Sequence, residues 1–547
     1  MLESNPCRAF QPDLNKRWCH TFAHAFPDHP SDWHRIWQAK ARETFIIPKN
    51  GIIGVRRGQG LDLEAQALMK QEPVWVVRIC FIIVWMTVCT PLSFAGDWAQ
   101  FRGPNGSGVA DTRNLPVEFG PAKNVLWKTP LPLGHSSPVL TVDRIFVTGY
   151  EESQLLVLCL DRKTGKILWR REIARPRKEE LHKANSPASP SPVTDGSHVY
   201  AFFTDFGLIC FDLDGREKWR VPLGPFNNPF GLGASPVLVK DKLLMICDQE
   251  SGSFFLALDK KTGKTQWRVE RPEYTRGFAT PVLYQAADGE LQVIISGALQ
   301  LTAYSVETGK EVWWVRGLTW QMKSTPVMDD KLIYVHGWAG GADEGQQEVI
   351  PPFEEVLAQL DTNHDGKLSQ DEIRDEKVKN DWKSYDLDRD GVLNERDWRF
   401  YRSRRAAQNA VIAFRLGGHG DMTEKNFVWR YQKALPNVPS PLLYQNVLYL
   451  MKEGGVLTAL DAATGAVLKQ ARLEKALGDY FSSPVAADGK VFTVSHEGKV
   501  CVVRSGADWE VLAVNDLNEE CNATPAFADD RIYLRTHQNL FCFAKQQ

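Results

Sequence analysis

Short apolar runs recur along residues 97–547, separated by turns bearing Gly, Asp and Asn. RIFVTGY (144–150), HVYAFF (198–203), KLLMICD (242–248), LQVIISG (291–297) and KLIYVHG (331–337) form one series, continued by VLYLMK (447–452), KVFTVS (490–495) and RIYLRT (531–536). They are rich in β-branched and aromatic residues, several alternate apolar with polar, and their length predicts β-strands. A second apolar run follows most of them, as in LLVLCLD (155–161), GLICFD (207–212) and FLALD (255–259). A turn and a Trp-bearing run come next: KILWRREI (166–173), REKWRVPL (216–223), KTQWRVER (264–271), KEVWWVRG (310–317) and FVWRYQKA (427–434).

A phrase of the form small-Ser/Thr-Pro precedes each series. Its prolines are Pro138, Pro192, Pro236, Pro281, Pro326, Pro441, Pro484 and Pro525, mostly 41–54 residues apart. That period, with four strands in each, predicts propeller blades. The interval from Pro326 to Pro441 is far longer and requires an insertion. Eight phrases open blades, but the last blade ends after three strands, at NLFCFAKQQ. NVLWKTPL (124–131), placed before the first phrase, supplies the missing outer strand, and joining the two removes free sheet edges. The expected fold is all-β: an eight-bladed β-propeller of four-stranded blades closed by N- and C-terminal strands, with a small α-helical insertion.

The turn before the Trp carries a fixed phrase, LDRKTGKILW (160–169) and LDKKTGKTQW (258–267). Asp accepts bonds from turn amides, and Gly supplies the positive φ of a hairpin bulge. Trp169 and Trp267 share a strand face with Asp161 and Asp259, so each ring can pack on the neighbouring blade. YSVETGKEVW (304–313) has Ser305 for Asp, and LDAATGAVLK (460–469) has Lys469 for Trp. This phrase resembles the tryptophan-docking repeat of quinoprotein alcohol dehydrogenases and of their non-catalytic relatives, including outer-membrane assembly lipoproteins of the BamB kind. The likeness covers nearly all of 97–547 and speaks for fold more than chemistry.

The insertion, residues 340–408, holds two acidic loops. DTNHDGKLSQDE (361–372) offers Asp361, Asn363, Asp365, the Lys367 carbonyl, Ser369 and Glu372 at positions 1, 3, 5, 7, 9 and 12, with Gly366 at the sharp turn. DLDRDGVLNERD (386–397) offers Asp386, Asp388, Asp390, the Val392 carbonyl, Asn394 and Asp397 at the same positions. Both resemble EF-hand loops, which implies calcium held by oxygen ligands. Asp397 is one methylene shorter than Glu372, so the first loop is expected to bind more tightly. The 13 residues between the loops leave room for one shared helix, with Ile373, Trp382 and Tyr385 towards its core. Pro352 begins another helix with Phe353, Val356, Leu357 and Leu360 on one face. The expected role of calcium is structural.

Formal net charge is −2, which gives no global field towards nucleic acid or anionic membranes. Residues 79–90, ICFIIVWMTVCT, follow Arg78 and precede LSFA, the pattern of a secretory signal peptide ending at Ala95. The run is short for a membrane span, although an uncleaved anchor is the alternative. Met69 opens a well-formed leader. The reading is therefore an upstream extension over 1–68, a leader over 69–95, propeller over 96–339, the insertion, and propeller over 409–547. Of ten cysteines, six follow Ala95 without CxxC spacing. Cys159, Cys210, Cys501 and Cys542 take a position that is Ala257, Ala303 or Ala459 elsewhere, which reads as a small buried residue.

Two functions are open. One is a non-catalytic, exported platform, periplasmic or secreted and monomeric, for an envelope protein, peptide or glycan. The other, implied by the resemblance, is a dehydrogenase using pyrroloquinoline quinone (PQQ) with calcium. Against PQQ, no adjacent Cys pair occurs, and no segment matches that family's calcium or base residues. Asp205, His336, His419 and His496 are the acid and imidazole groups that could lie near loops. No GxSxG or HExxH motif supports a hydrolase.

Overall fold

The computed structural model describes residues 98–546. The upstream extension and the leader, 1–95, lie outside the described residues. The described chain forms eight blades, each built on four antiparallel strands, and one blade adds a short parallel fifth strand. Blade 1 consists of Val139–Leu140, Arg144–Tyr150, Gln154–Asp161 and Ile167–Ala174. Blades 2, 3 and 4 occupy 193–222, 237–270 and 282–316. Blade 5 is split: Val327–Met328 and Leu332–Gly337 pair with Ala410–Arg415 and Phe427–Tyr431 across the insertion. Blades 6 and 7 occupy 442–472 and 485–516.

Blade 8 closes the ring as the repeat count requires. Ala526–Ala528, Arg531–Arg535 and Asn539–Phe543 take Val125–Pro130 as their outer strand, with Trp127 opposite Cys542. Strand burial follows position. Middle strands such as Val199–Phe203 are buried on both faces because a blade lies on either side. Outer strands such as Thr265–Glu270 alternate with solvent.

Tryptophans of blades 1, 2, 3 and 5 fasten each of these blades to the next. Trp219 of blade 2 donates Nε1–H to the Lys260 carbonyl in the last turn of blade 3, at 2.9 Å. Its ring covers Gly263, where φ is +71° and any Cβ would lie 2.8 Å from the indole. Only glycine meets both demands. Trp169, Trp267 and Trp429 bond the equivalent carbonyls of Leu213, Val306 and Ala462. Lys469 holds the Trp position of blade 6 and reverses the roles. Its ammonium donates to the Trp509 carbonyl at 2.8 Å and lies over the Trp509 ring, which the following blade contributes. Blade 5 lacks the Thr-Gly turn. Its longer loop lays Gly420–Asp421 parallel to Trp313 and Trp314 instead, and Trp313 bonds Gln292 within its own blade.

One assignment shifts by a residue. Cys159, Cys210 and Cys542 pair across from Trp169, Trp219 and Trp127, just before the bulge of each strand. In blade 7 the same position belongs to Val502, opposite Ala513, so Cys501 points to the other face. The six described cysteines are buried and free. Among the described residues no helix is long and apolar enough to cross a membrane.

Trp219→Ala is expected to destabilise the ring by about 3–5 kcal/mol, the range for emptying a buried Trp site. Removing residues 98–131 should do more, because it unpairs Asn539–Phe543. Both are read as lowered midpoints in urea unfolding; an unchanged midpoint for the deletion contradicts closure by the N-terminal strand.

Candidate functional site

The Ser/Thr-Pro phrases converge on the propeller axis. The Ser137 amide donates to Ser191 Oγ at 2.9 Å, Ser191 to Ser235 Oγ and Ser235 to Thr280 Oγ1, both at 3.0 Å. Beyond blade 5, Thr325 donates to Ser440, Ser440 to Ser483, and Ser483 to Thr524. Thr524 returns to Ser137 Oγ at 2.9 Å and closes the belt over 387 residues of sequence. The following proline has no N–H, so the phrase commits its one amide to the neighbouring blade. The belt has a single gap, between blades 4 and 5. There Phe278 N donates to the Met322 carbonyl at 2.9 Å instead.

Above the belt lies an axial cup of about 390 Å³, lined by the connections that lead into each innermost strand and by Phe101. The segment before Val125 approaches the axis from below. Leu140 N and Thr194 N donate to its Trp98 and Ala99 carbonyls, Asn105 exchanges bonds with Leu283, and Arg102 donates to the Pro441 carbonyl at 2.8 Å. This segment thus joins blades 1, 2, 4 and 6 beneath the belt, and Phe101 carries it into the lining.

The lining combines the belt hydroxyls, the amides of Asn185, Gln321, Asn437 and Asn522, and the rings of Phe230, Phe278 and Phe481. It includes no aspartate, glutamate or cysteine among the described residues, and Lys323 is its one lysine or arginine. Lys323 Nζ donates to Asn437 Oδ1 at 2.7 Å and to the Trp338 carbonyl at 3.1 Å. Burial brings its pKa down to about 8, with the Glu453 charge acting in the opposite direction. His135 is held neutral: burial, with the nearby His537, Arg535 and His496, lowers its pKa to about 3.

The insertion forms a separate core. Helices α1 (Phe353–Leu360), α2 (Glu376–Asn380), α3 (Trp382–Tyr385) and α4 (Glu395–Ala406) surround Leu368, Leu393, Ile373, Val378 and Trp398. The expected shared helix is broken at Asp381 into α2 and α3. The two acidic loops share one hydrogen-bond scaffold. Asp361 accepts from the amides of Asp365 and Gly366, and Asp386 from those of Asp390 and Gly391. Asp365 accepts from Lys367 N, and Asp390 from Val392 N. Glu372 accepts from Thr362 N and Ser369 N; the shorter Asp397 accepts from Leu387 N and Asn394 N. Leu368 and Ser369 pair with Leu393 and Val392, which sets the loops side by side. Carboxylate oxygens of Asp386, Asp388 and Asp390 converge within 4.8 Å. Asn363 Nδ2 lies 3.1 Å from Asp365 Oδ2, and the Lys367 ammonium crosses to Asp390.

The insertion is fastened to the wall of the cup. Glu250 of blade 3 is 3 % exposed as a side chain and bonds both Arg276 and Arg404 of α4. Both guanidinium groups lie over Trp320, and that of Arg276 also lies over Phe230 of the cup. Asn227 donates to the Leu387 carbonyl inside the second loop, at 2.7 Å. Asn409 ties the neck through the Ala339 carbonyl and Asp343.

Of the isolated acid and imidazole groups, none lines the cup. Asp205 is buried against Arg175, His336 is buried within blade 5, His419 is exposed, and His496 bonds Asn522 from behind. Sequence reasoning missed Lys323, which sits in no repeat phrase. It also read the Ser/Thr-Pro phrase as blade punctuation, although a hydroxyl before all eight prolines was the available signal.

A family model described as Outer membrane protein assembly factor BamB matches residues 118–256 and 252–547. No curated protein matches the chain. Among solved structures, BamB from Moraxella catarrhalis is 14 % identical, with a TM-score of 0.49 over 77 % of this chain and 99 % of its own. A europium-containing methanol dehydrogenase is 11 % identical, with a TM-score of 0.53 over 82 % of this chain and 98 % of its own. Quinohemoprotein alcohol dehydrogenase from Comamonas testosteroni is 11 % identical, with a TM-score of 0.51 over 82 % of this chain and 81 % of its own. At these identities the likeness to the two dehydrogenases concerns the fold.

Glu250→Gln leaves two buried guanidinium groups without a counter-charge. The expected cost is about 3–5 kcal/mol, the range for breaking a buried ion pair from one side. It should appear as faster amide exchange across 395–406, with the propeller strands unchanged; equal exchange in both proteins shows that the network does not hold the insertion.

Proposed function

Because this chain belongs to the family of the outer membrane protein assembly factor BamB, we propose that it is a non-catalytic binding platform of the cell envelope. The observation that supports this reading is the cup itself. It offers hydroxyl and amide hydrogen-bonding groups between aromatic walls, with no carboxylate base or thiol nucleophile in its lining. Its wall also holds two imidazoles, His182 and His135, and burial lowers the His135 pKa to about 3, which makes that ring a weak proton acceptor. The surface as a whole is suited to positioning a ligand.

The dehydrogenase reading fits this chain poorly. A hard cation beside a quinone needs several oxygen ligands, normally including carboxylates. The cup presents the Lys323 ammonium instead, which opposes a cation. The partner in our reading is an envelope protein, peptide or glycan. Export by the leader over 69–95 and a monomeric state belong to the same proposal. Finding a peptide from residues 1–68 in the mature protein would contradict that start.

Calcium is assigned to the insertion, with ligands from Asp361, Asn363, Asp365, Lys367, Ser369 and Glu372 in the first loop. Asp386, Asp388, Asp390, Val392, Asn394 and Asp397 serve the second. The matching hydrogen-bond scaffolds support two sites of one kind. Glu372 can give two oxygens and Asp397 one with ease, so the first site is expected to be tighter. The ion's role is to stiffen the insertion against blade 3.

Calorimetric titration should show calcium binding in the wild type, with the tighter site lost in Glu372→Ala and kept in Asp397→Ala. No binding in the wild type removes the metal assignment. For the platform, capture of an envelope component from extract by the mature protein is expected, together with no dye reduction when PQQ, calcium and an alcohol or sugar are supplied. Dye turnover dependent on bound quinone would overturn the non-catalytic reading.

A further inference from the structure

Two buried cations and one half-buried cation stand around the axis without a carboxylate partner. Arg102 is fully buried; one guanidinium nitrogen reaches the Pro441 and Pro484 carbonyls, while Nε and Nη1 have no partner. Arg535 is 1 % exposed, bonds the Ser136 hydroxyl and the carbonyls of Ser136, Thr148 and Pro132, and leaves Nε unpartnered. Lys323 is held by a carbonyl and an amide oxygen. Desolvation is the main effect on all three, lowering each pKa, to about 9 for both arginines. Pro441 and Pro484 follow belt residues Ser440 and Ser483, and Ser136 precedes belt residue Ser137. Arg102 and Arg535 therefore flank the belt, and Lys323 faces the cup.

The belt adds donors of the same sign. Seven of its eight hydroxyls accept a neighbour's amide. None donates its own proton to a protein group among the described residues, so those protons remain for something else. A site with surplus donors, a fixed positive field and no acidic side chain is built for negative charge. Its other feature is apolar: Phe101, Phe230, Phe278 and Phe481 each turn part of a ring into the same space. A single lysine in the lining matches a single negative charge.

We propose that the axial cup binds an aromatic monocarboxylate, its carboxylate at Lys323 and the belt hydroxyls and its flat apolar body between the phenylalanine rings. This rests on the reading of the cup as a binding site and names the ligand class it takes. The geometry differs from that of a metal-assisted quinone, since no oxygen anion of the protein stands beside the charge.

The probes are 2-naphthoate and its uncharged amide, titrated calorimetrically into the mature calcium-loaded protein. Naphthoate is expected to bind at least about tenfold more tightly than the amide, as a charge-assisted bond requires. Lys323→Met should remove that difference and Lys323→Arg should retain most of it. Asn437→Asp is the second variant. It is nearly isosteric and gives Lys323 an internal counter-ion, so naphthoate should weaken about tenfold more than its amide does. Equal binding of acid and amide overturns the anion assignment while leaving the cup a binding site. Binding of neither overturns the cup as a ligand site, and capture of an envelope component then decides the platform reading separately. Naphthoate binding unaltered in both Lys323→Met and Asn437→Asp overturns the placement of the charge.

Discussion

A propeller blade with apolar residues on both faces cannot be stable alone. Phe202 and Phe203 are adjacent in blade 2, point to opposite faces and are both fully buried, because blade 3 covers one and blade 1 the other. Every blade makes the same demand, so the chain must return on itself, and the last neighbour must be the first. This two-sided burial explains why the outer strand of blade 8 comes from residues 125–130.

Apolar packing by itself tolerates sliding, and two polar devices fix the register. At the rim, an indole N–H or the Lys469 ammonium reaches one carbonyl in the next blade's last turn. At the axis, an amide reaches the next hydroxyl. Each such bond contributes only about 0.5–1.5 kcal/mol net, but the rim bond repeats at five junctions and the axial bond at seven. Both devices change at the junction of blades 4 and 5: the belt is open there and strand pairing replaces the rim contact. The insertion leaves the propeller from blade 5, beside that same junction.

The cup is a consequence of the ring. Eight connections must reach the axis to begin the innermost strands, and their side chains meet there whatever their distance in sequence. The lead-in segment joins the floor, and the insertion is clamped to the wall through Glu250 and Asn227. The insertion with its two acidic loops and an axial cavity thus share the stretch from Asn227 to Phe230 as a structural border.

Much of this was written locally. The Ser/Thr-Pro period, the Thr-Gly turn with its tryptophan and the oxygen-bearing loops are short-range patterns tied to strand, turn and loop geometry, and they sufficed for the blade number, the closing strand and the acidic loops. Local signals also set the limits. The position of Cys501 looked equivalent to that of Cys159 until pairing placed Val502 there, since register depends on where a bulge falls. Lys323 carries no motif, and its meaning comes from burial beside Asn437, Trp338 and hydroxyls from distant blades. Arg102 and Arg535 likewise carry no motif in the sequence. Only the closed ring brings both to the axis without a carboxylate, because charge balance around a cavity is a property of three-dimensional neighbours that no stretch of chain contains.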